Sequence, residues 1–325
     1  MIYTITPNPC LDLGGTVDKL VPDEKSYVHD EIRSPGGNSI NAARIIRRLG
    51  VPVKATGFLG GGVAIELKTH LDHEKISHEF IKIKGNTRIN MTVSNSQDHR
   101  QTRLSFPGPK ILPAEREALF NYVSRIDNSS LLIIGGSLPP GFTETHLLRI
   151  LRIAEKRGIP TIVDVPGHLL KCVLAAFTLL IKPNLVEFQA LTGKKVSSLK
   201  EVLKLAKNLT QKIPLICVSS VDGGALLATP SASWFGRIPK IKVKSTVGAG
   251  DSMVGAMSAY LWRESQRTQQ PMAKIAHGSD PRFCEELFRY GLAAACGTLS
   301  LPGMLLANKK EILRYLPEIE IQRLD

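Results

Sequence analysis

The sequence predicts an α/β fold in which helices cover both faces of a doubly wound, mostly parallel sheet. The first observation is a set of short apolar runs that are β-branched or leucine-rich and do not alternate, as is typical of strands buried on both faces. Amphipathic segments separate these runs, and such a strand–helix alternation favours parallel pairing. Two alternating segments, which depart from this pattern, predict a small β lid beside the sheet.

Predicted strands and helices follow one another along nearly the whole chain. The strands are expected at 2–6, 53–58, 131–136, 161–165, 178–182 and 215–219. The helices are expected near 39–49, 63–74, 113–125, 144–157, 199–211, 251–264 and 283–298. In sheets of this type ligands bind beyond the carboxyl ends of the strands, so we expect the functional residues there.

The lid is predicted from residues 87–94 and 102–106, which alternate between polar and apolar side chains. The turn-like sequence between them indicates an antiparallel hairpin with one face of each kind. A further extended stretch is expected to pair with it, so that roughly 14–34 and 87–106 form the lid. Because no Pro/Gly/Ser-rich linker divides the chain, we expect residues 1–325 to form a single domain.

Composition narrows the range of partners. The formal net charge of +13 favours anionic partners, although a solvated basic surface would give the same charge. The sequence KIKVK at 240–244 alternates as an edge strand would, and the lack of interleaved aromatic residues disfavours nucleic acid. Five scattered cysteines without CxxC spacing predict reduced thiols and a cytoplasmic protein. Neither a signal peptide nor a membrane span is expected.

Three familiar motifs are incomplete. TGKKV at 192–196 lacks the upstream glycine and the Ser/Thr of a P-loop, and Met253 stands where a dinucleotide-binding fingerprint needs its third glycine. His73 and His78 are five residues apart, a spacing that places them on different faces of a helix and does not fit a zinc pair.

The most specific segment is STVGAGDSMVGAM at 245–257. Gly248, Ala249 and Gly250 precede a predicted helix, and amide groups at such a position bind anions well. Asp251 follows in the first helical turn, where a carboxylate would repel an anion. The alternative interpretation is an aspartate that stabilises the helix dipole.

Four further segments offer polar residues near strand or helix ends. In SPGGNSINAAR (34–44) the glycine pair permits close approach of a ligand to the backbone and Asn41 lies in the first helical turn, although Asn38 or Ser39 could simply be an N-cap. Ser137 in GGSLPPG and Asp12 in NPCLD are candidates for ligand binding or ordinary turn residues.

The fourth segment, KPNLVE at 182–187, places Asn184 and Glu187 three residues apart. On one face of an opening helix they could organise a hydrated Mg²⁺ ion. A capping arrangement, with Asn184 as the N-cap and Glu187 as its partner, explains the same spacing.

The motifs, in their order along the chain, resemble those of the PfkB (ribokinase-like) carbohydrate kinases. STVGAGDSMVGAM resembles their C-terminal signature, SPGGNSINAAR their glycine motif and KPNLVE their NxxE motif, and the similarity extends from TPNPCLD to the helix at 283–298. It implies a ribokinase-like three-layer fold with a β lid. NPCLD, GGSLPPG and the arginines Arg88 and Arg103 resemble the phosphosugar branch of the family, where a guanidinium fork suits a phosphate dianion.

The resemblance implies a role for each candidate residue. Asp251 would be the general base, and the amides of Gly248, Ala249, Gly250 and Asp251 would hold the γ-phosphoryl group in transfer. The residues implied to bind the sugar phosphate are Asp12, Gly36, Gly37, Asn41, Arg88, Arg103 and Ser137. Those implied to bind ATP are Lys182, Asn184, Glu187, Ser219, Gly224 and Thr246. Asn184 and Glu187 would organise Mg²⁺ through water, and a monovalent cation such as K⁺ is left open.

The implied activity is an ATP-dependent sugar-phosphate kinase that forms a homodimer through its lid. Fructose 6-phosphate is the first choice of acceptor, giving fructose 1,6-bisphosphate; 1-phosphofructokinase and tagatose-6-phosphate kinase are the alternatives. These two commonly carry Lys-Gly where this chain has Asn38-Ser39. Tyr27 stands where minor 6-phosphofructokinases tend to have a basic residue that reaches the partner's site, and Lys25 could take its place. A non-catalytic phosphosugar or nucleic-acid binder is disfavoured, because the charge of Asp251 would weaken its hold on an anion.

Overall fold

The computed structural model describes residues 1–98, 100–278 and 280–325. The strands that these residues form are β1 (Ile2–Thr6), β2 (Cys10–Val17), β3 (His29–Gly36), β4 (Val53–Leu59), β5 (Ser77–His78), β6 (Ile81–Lys82), β7 (Arg88–Asn95), β8 (Gln101–Leu104), β9 (Leu131–Gly135), β10 (Thr161–Asp164), β11 (Leu180–Ile181), β12 (Leu215–Val221), β13 (Gly224–Ala228), β14 (Ser233–Arg237) and β15 (Glu320–Arg323). The helices are α1 (Asn38–Arg48), α2 (Gly61–His73), α3 (Pro113–Val123), α4 (Glu144–Lys156), α5 (Leu170–Val173), α6 (Leu185–Thr192), α7 (Leu199–Leu209), α8 (Ala249–Thr268), α9 (Met272–Gly278), α10 (Pro281–Leu299) and α11 (Lys309–Tyr315).

The main sheet has the order β5-β4-β1-β9-β10-β11-β12-β13-β14-β15, and β6 also pairs with β4. Every pair from β5 to β12 is parallel. The chain runs from β1 outward to β4 and then returns to β9 on the other side of β1. Strand order therefore reverses between β1 and β9, and a crevice at such a switch point is where ligands bind. The predicted doubly wound sheet is confirmed, with all six predicted strands in it.

The two faces of the sheet carry separate apolar layers. Along β9, Leu131 and Ile133 pack into the layer that contains helices α1, α8 and α10. Their neighbours Leu132 and Ile134 pack into the layer that contains α3, α4 and α6. Since successive strand residues point to opposite faces, this non-alternating strand fills both cores. The result is three layers, helix–sheet–helix.

A second, four-stranded sheet has the order β3-β2-β7-β8. The predicted β7–β8 hairpin is confirmed, with antiparallel pairs such as Met91 with Leu104. The extended stretch expected over 14–34 is instead two strands, and the first of them already begins at Cys10. This corrects the predicted lid boundary, and it moves Asp12 from a turn after β1 onto the lid itself.

Three further expectations need correction. Residues 240–244 form no regular strand, and the amide of Lys244 instead donates to the carbonyl of Leu299 at the end of α10. The strand expected over 178–182 pairs only at Leu180 and Ile181. The helix expected over 251–264 is longer and begins at Ala249.

The antiparallel edge β13–β15 was not predicted, although one local signal marks its first turn. Asp222 and Gly223 join β12 to β13, and both have positive φ angles, 45° and 74°. An Asp-Gly pair with this geometry is the preferred two-residue hairpin turn, because it matches the twist of the strands.

All five cysteines are free thiols, and four of them are buried. None of the helices formed by the described residues combines the length and apolarity that a membrane crossing requires.

Candidate active site

A cavity of about 440 Å³ lies at the carboxyl ends of the central strands, beneath the lid. It occupies the predicted switch-point crevice, since its wall includes Asn8 after β1 and Gly136 after β9. The predicted residues that line it are Asp12, Gly37, Asn41, Arg88, Arg103, Ser137, Lys182, Asn184, Glu187, Thr246, Gly248, Gly250 and Asp251. Residues from distant parts of the chain therefore meet at one place.

Helix α8 opens directly into this cavity. Gly248 is its N-cap, with a φ of 76° in the left-handed region, and a Cβ atom there would lie 2.4 Å from the Leu306 side chain. The first backbone bond of the helix runs from the Ser252 amide to the Gly248 carbonyl. The amides of Ala249, Gly250 and Asp251 therefore precede the helical ladder, and they form the kind of anion site found at helix N-termini.

The Asp251 carboxylate lies beside these amides and accepts a 2.8 Å hydrogen bond from Asn41 Nδ2 to its Oδ2. Burial, followed by the nearby charge of Asp164, raises the pKa of Asp251 to about 7, whereas the Asn41 hydrogen bond and Lys182 act in the opposite direction. A carboxylate with a pKa close to neutral can accept a proton near physiological pH, as a general base must. The interpretation as a simple dipole-stabilising aspartate does not account for this environment.

Lys182 and Asp164 form a buried ion pair in the cavity floor, with Nζ 3.3 Å from Oδ1. Burial disfavours charge on the ammonium group, but Asp164 and the other nearby acidic groups outweigh it and raise the pKa of Lys182. Gly250 makes room for this lysine, since a Cβ atom there would lie 3.0 Å from Nζ. The ammonium group thus lies close to the first turn of α8, which carries Asp251.

The lid supplies Asp12 to the opposite wall. Its Oδ1 accepts hydrogen bonds from the Cys10 thiol and from Asn90 Nδ2, each at 3.2 Å. Burial and the charge of Asp12 raise the pKa of Cys10 well above its usual range, which keeps the thiol protonated as a donor. Gly36 lies under this carboxylate, and a Cβ atom there would be 2.1 Å from Asp12 Oδ2. The contribution of Gly36 is therefore to make space for Asp12.

Two arginines stand on the lid side of the cavity. Arg88 donates from Nη1 to the Phe106 carbonyl at 2.6 Å, and from Nη2 to the Asn8 carbonyl at 2.8 Å and to Ser137 Oγ at 3.4 Å. Its buried Nε has no hydrogen-bond partner among the described residues. Arg103 is exposed and pairs in register with Thr92, so the two arginines lie on the same face of neighbouring strands.

Asn184 and Glu187 form the capping box that the sequence offered as one interpretation. Asn184 Oδ1 accepts from the Glu187 amide and Glu187 Oε2 accepts from the Asn184 amide, each at 2.9 Å. Both residues also line the cavity, and burial raises the pKa of Glu187. Capping uses one carboxylate oxygen of Glu187, so the other oxygen could still interact with a hydrated cation.

The structure corrects the predicted N-cap of α1, and four predicted site residues lie outside the cavity wall: Gly36, Ala249, Ser219 and Gly224. Gly37, and neither Asn38 nor Ser39, is the N-cap of α1, with a φ of 115°. Ser219 forms a bridge to Asn184 at the edge of the site, whereas Gly224 begins β13 opposite Arg237.

Several wall residues were missed by the sequence reasoning: Asn8, Cys10, Asn38, Asn90, Ser105 and Asp164. Asp164 has the strongest local signal, since it ends the apolar run of β10 at the carboxyl edge of the sheet. Asn90 lies on the polar face that was predicted for the hairpin. Asn38 donates to Asp164 Oδ2 at 3.3 Å, a contact that local sequence does not indicate.

The described residues contain no group of three or more His, Cys, Asp or Glu side chains that could hold a metal ion directly. The arrangement instead offers the Asp251 carboxylate, whose pKa lies near 7, beside the amide donors of α8, and two guanidinium groups on the lid strands. Such a site can remove a proton from a bound hydroxyl while it stabilises negative charge nearby.

Comparisons with known proteins agree with this chemistry. A family model described as pfkB family carbohydrate kinase matches residues 8–307. A 1-phosphofructokinase of Borreliella burgdorferi is 30% identical over 325 residues, which cover 99% of this chain and 98% of the relative. ATP-dependent 6-phosphofructokinase isozyme 2 of Escherichia coli is 33% identical over 281 residues, covering 86% of this chain and 91% of the relative. The crystal structure of phosphofructokinase-2 from Escherichia coli in complex with substrates and products matches with a TM-score of 0.88, at 31% identity and with 98% of each chain covered.

The geometry predicts that Asp251 titrates near pH 7 in the ligand-free protein, because burial and Asp164 raise its pKa to about that value. Carboxyl carbon NMR of protein labelled at aspartate measures this midpoint, and the resonance is assigned by its loss in Asp251→Asn. Asn41→Ala should move the midpoint to higher pH, since a hydrogen bond to the charged form is removed. A midpoint below pH 5 in the unsubstituted protein would contradict the described environment.

Proposed function

The chain belongs to the pfkB family of carbohydrate kinases and is a sugar-phosphate kinase of the phosphofructokinase type, and on that premise we propose that ATP phosphorylates fructose 6-phosphate in the cavity beneath the lid. The product would be fructose 1,6-bisphosphate. The observation that carries this proposal is that one cavity is lined both by Asp251 at the start of α8 and by Arg88 and Arg103 on the lid strands β7 and β8. Asp251 and the α8 amides suit the hydroxyl that reacts, and the two arginines suit a phosphate that is bound but does not react.

Asp251 would take the proton from the acceptor hydroxyl. The amides of Ala249, Gly250 and Asp251 would hold the phosphoryl group in transfer, where charge is stabilised without reorganisation. Lys182 would add positive charge on the nucleotide side, since its ammonium group lies close to the start of α8 at Gly250. Phosphoryl transfer depends mainly on such positioning and electrostatics.

The acceptor would lie between the lid and the sheet. Asp12 and Asn41 would hold its hydroxyl groups, with the backbone at Gly37 close by. Arg88 would hold its phosphate together with Arg103 and Ser137. The unsatisfied Nε of Arg88 fits this assignment, because a buried guanidinium donor calls for an acceptor.

ATP would extend from the start of α8 towards Asn184, Glu187 and Thr246, with Ser219 at the edge of the site. When bound, Mg²⁺ neutralises the charge of the nucleotide phosphates. Asn184 and Glu187 fit such a role, since they offer amide and carboxylate oxygens and Mg²⁺ usually keeps several waters.

A homodimer formed through the lid is supported by an apolar outer surface. A groove of about 940 Å³ is lined by residues that include Leu13, Ile89, Met91, Phe106 and Leu112. Exposed apolar surface of this kind commonly marks a protein interface.

The segment between β2 and β3 lies beside this lid and carries Tyr27, which is 70% exposed. Lys25 Nζ stacks on the Tyr27 ring, 5.3 Å from its centroid. In a lid-to-lid dimer Lys25 would supply the positive charge in place of the basic residue for which Tyr27 stands.

The choice of fructose 6-phosphate is tested by ADP release in a coupled assay with fructose 6-phosphate, fructose 1-phosphate and tagatose 6-phosphate. Relatives acting on either fructose monophosphate are similar to this chain. Asn38, which stands where 1-phosphofructokinases commonly carry lysine, supports fructose 6-phosphate. The highest kcat/KM should therefore be found with fructose 6-phosphate. A higher value with another sugar would change the acceptor, and no ADP release with any of the three would defeat the proposed activity.

Arg103→Ala should raise KM for fructose 6-phosphate by about 10- to 100-fold, as loss of a charge-assisted hydrogen bond does, and leave KM for ATP unchanged. Arg103 is exposed, so its removal should not disturb the fold. Arg100→Ala is the matched control, because Arg100 is also exposed on the hairpin but lies outside the cavity wall. Equal KM values for the phosphosugar in both variants would remove Arg103 from the phosphate site.

A further inference from the structure

A line of polar side chains runs from Asp251 into the protein behind the cavity. Asn41 donates from Nδ2 to Asp251 at 2.8 Å, and its Oδ1 accepts from Arg44 Nη1 at 3.4 Å. Arg44 Nε in turn donates to Glu74 Oε1 at 2.7 Å. Three consecutive contacts therefore connect the proposed base to a residue at the end of helix α2.

Arg44 is almost completely enclosed, with 7% of its surface exposed. Apart from Glu74 and Asn41, its guanidinium donates to Ser34 Oγ at 3.0 Å and to the Pro35 carbonyl at 3.4 Å. Partners on α1, α2 and β3 thus fix its plane. A buried charge is costly unless it is paired and hydrogen-bonded, so this arrangement needs a reason beyond packing.

The guanidinium determines which way the Asn41 carboxamide faces. Arginine donates hydrogen bonds and has no acceptor, so the Asn41 atom that faces Arg44 must be the oxygen. The NH₂ group then faces Asp251, as the 2.8 Å contact shows. A carboxamide that was free to rotate could present its oxygen to the carboxylate, where the two acceptors would repel each other.

We propose that Arg44 is a positioning residue for phosphoryl transfer, which acts through Asn41 by holding the carboxamide with its NH₂ group towards Asp251. The inference rests on the proposed function and deepens it. Because the Asn41 bond is made to Asp251 Oδ2, the other carboxylate oxygen is left for the acceptor hydroxyl. Arg44 thus orients the base without touching the substrate.

Other charged groups also face Asp251, and the test must separate them from Arg44. Asp164 and Lys182 approach from the strand ends and Asp12 from the lid. Glu187 and the two lid arginines line the same cavity. None of them contacts the guanidinium of Arg44 among the described hydrogen bonds and ion pairs.

Arg48 provides a matched control one helical turn away. It donates to the same Glu74 carboxylate, at 3.1 Å, but its other contacts are the carbonyls of Leu306 and Ala307. Arg48→Met therefore removes a positive charge and one Glu74 partner, as Arg44→Met does, while Asn41 keeps its orienting donor.

The first measurement is the Asp251 carboxyl titration by NMR in ligand-free protein, which does not depend on activity. Arg44→Met should move the midpoint to higher pH, because Asp251 loses its donor; Arg48→Met should leave it in place. In the Asn41→Ala background, Arg44→Met should produce no further shift. A shift that persists there would show direct action of the Arg44 charge and would overturn the proposal, as would equal shifts for both arginine variants.

The second measurement is turnover with ATP and fructose 6-phosphate in the same double-mutant cycle. Arg44→Met and Asn41→Ala should each lower kcat by about tenfold, and the double variant should be no slower than Asn41→Ala alone. KM for ATP should stay unchanged throughout. Additive losses in kcat would overturn the proposal.

A variant that does not fold and a parent protein that is inactive are two different outcomes, and the role of Arg44 can be tested in both. If Arg44→Met does not fold, Arg44→Met combined with Glu74→Gln removes both partners, which generally costs much less than leaving one charge unpaired. In the Asn41→Ala background, this pair of substitutions should likewise change neither the Asp251 titration midpoint nor kcat any further. A parent protein that releases no ADP would defeat the proposed function, while the NMR cycle would still decide the role of Arg44.

Discussion

Close packing of helix α8 against helix α1 is the contact on which the site depends. Gly255 makes it possible, since a Cβ atom there would lie 2.7 Å from the Ala42 carbonyl and 2.8 Å from Ile45 Cβ. The two helices come from opposite ends of the chain, yet both N-termini open into one cavity. The Asn41–Asp251 hydrogen bond joins them there. A larger residue at 255 would separate the helices and with them Asp251 and its donor Asn41.

In the proposed function, the charges along the cavity serve two anionic groups, the phosphoryl group in transfer and the phosphate that the acceptor already carries. Burial and the charge of Asp164 raise the pKa of Asp251 to about 7, while Lys182, paired with Asp164, places a positive charge close to Gly250. A proton acceptor and an anion site can therefore be neighbours, because the positive charge of Lys182 offsets the repulsion between the carboxylate and a bound anion. The lid arginines line the same cavity from β7 and β8, and in the proposed function they would hold the phosphate that does not react.

The fold could be predicted because its strands and helices are encoded by local patterns of apolar and polar residues. The site could be predicted only where a motif contained its residues, as in the segment 245–257 around Asp251. Asp164 was missed because its role depends on Lys182 and Asn38, which local sequence does not connect to it. Asn41 was expected to bind sugar, and its contact with Asp251 emerged only from helix packing. The predicted lid starts too late in the chain, because Asp12 could equally be a turn residue after β1, whereas β2 begins at Cys10.

The central claim is that Asp251 is a base and not a binding group. Turnover and ATP binding of Asp251→Asn test it most directly, with Asp164→Asn as a second carboxylate variant from the same cavity. The account predicts that Asp251→Asn lowers kcat by about 10²- to 10⁴-fold, as loss of a general base does, while the Kd for ATP measured by calorimetry stays within about threefold of the parent value. Turnover close to that of the parent protein would contradict the account.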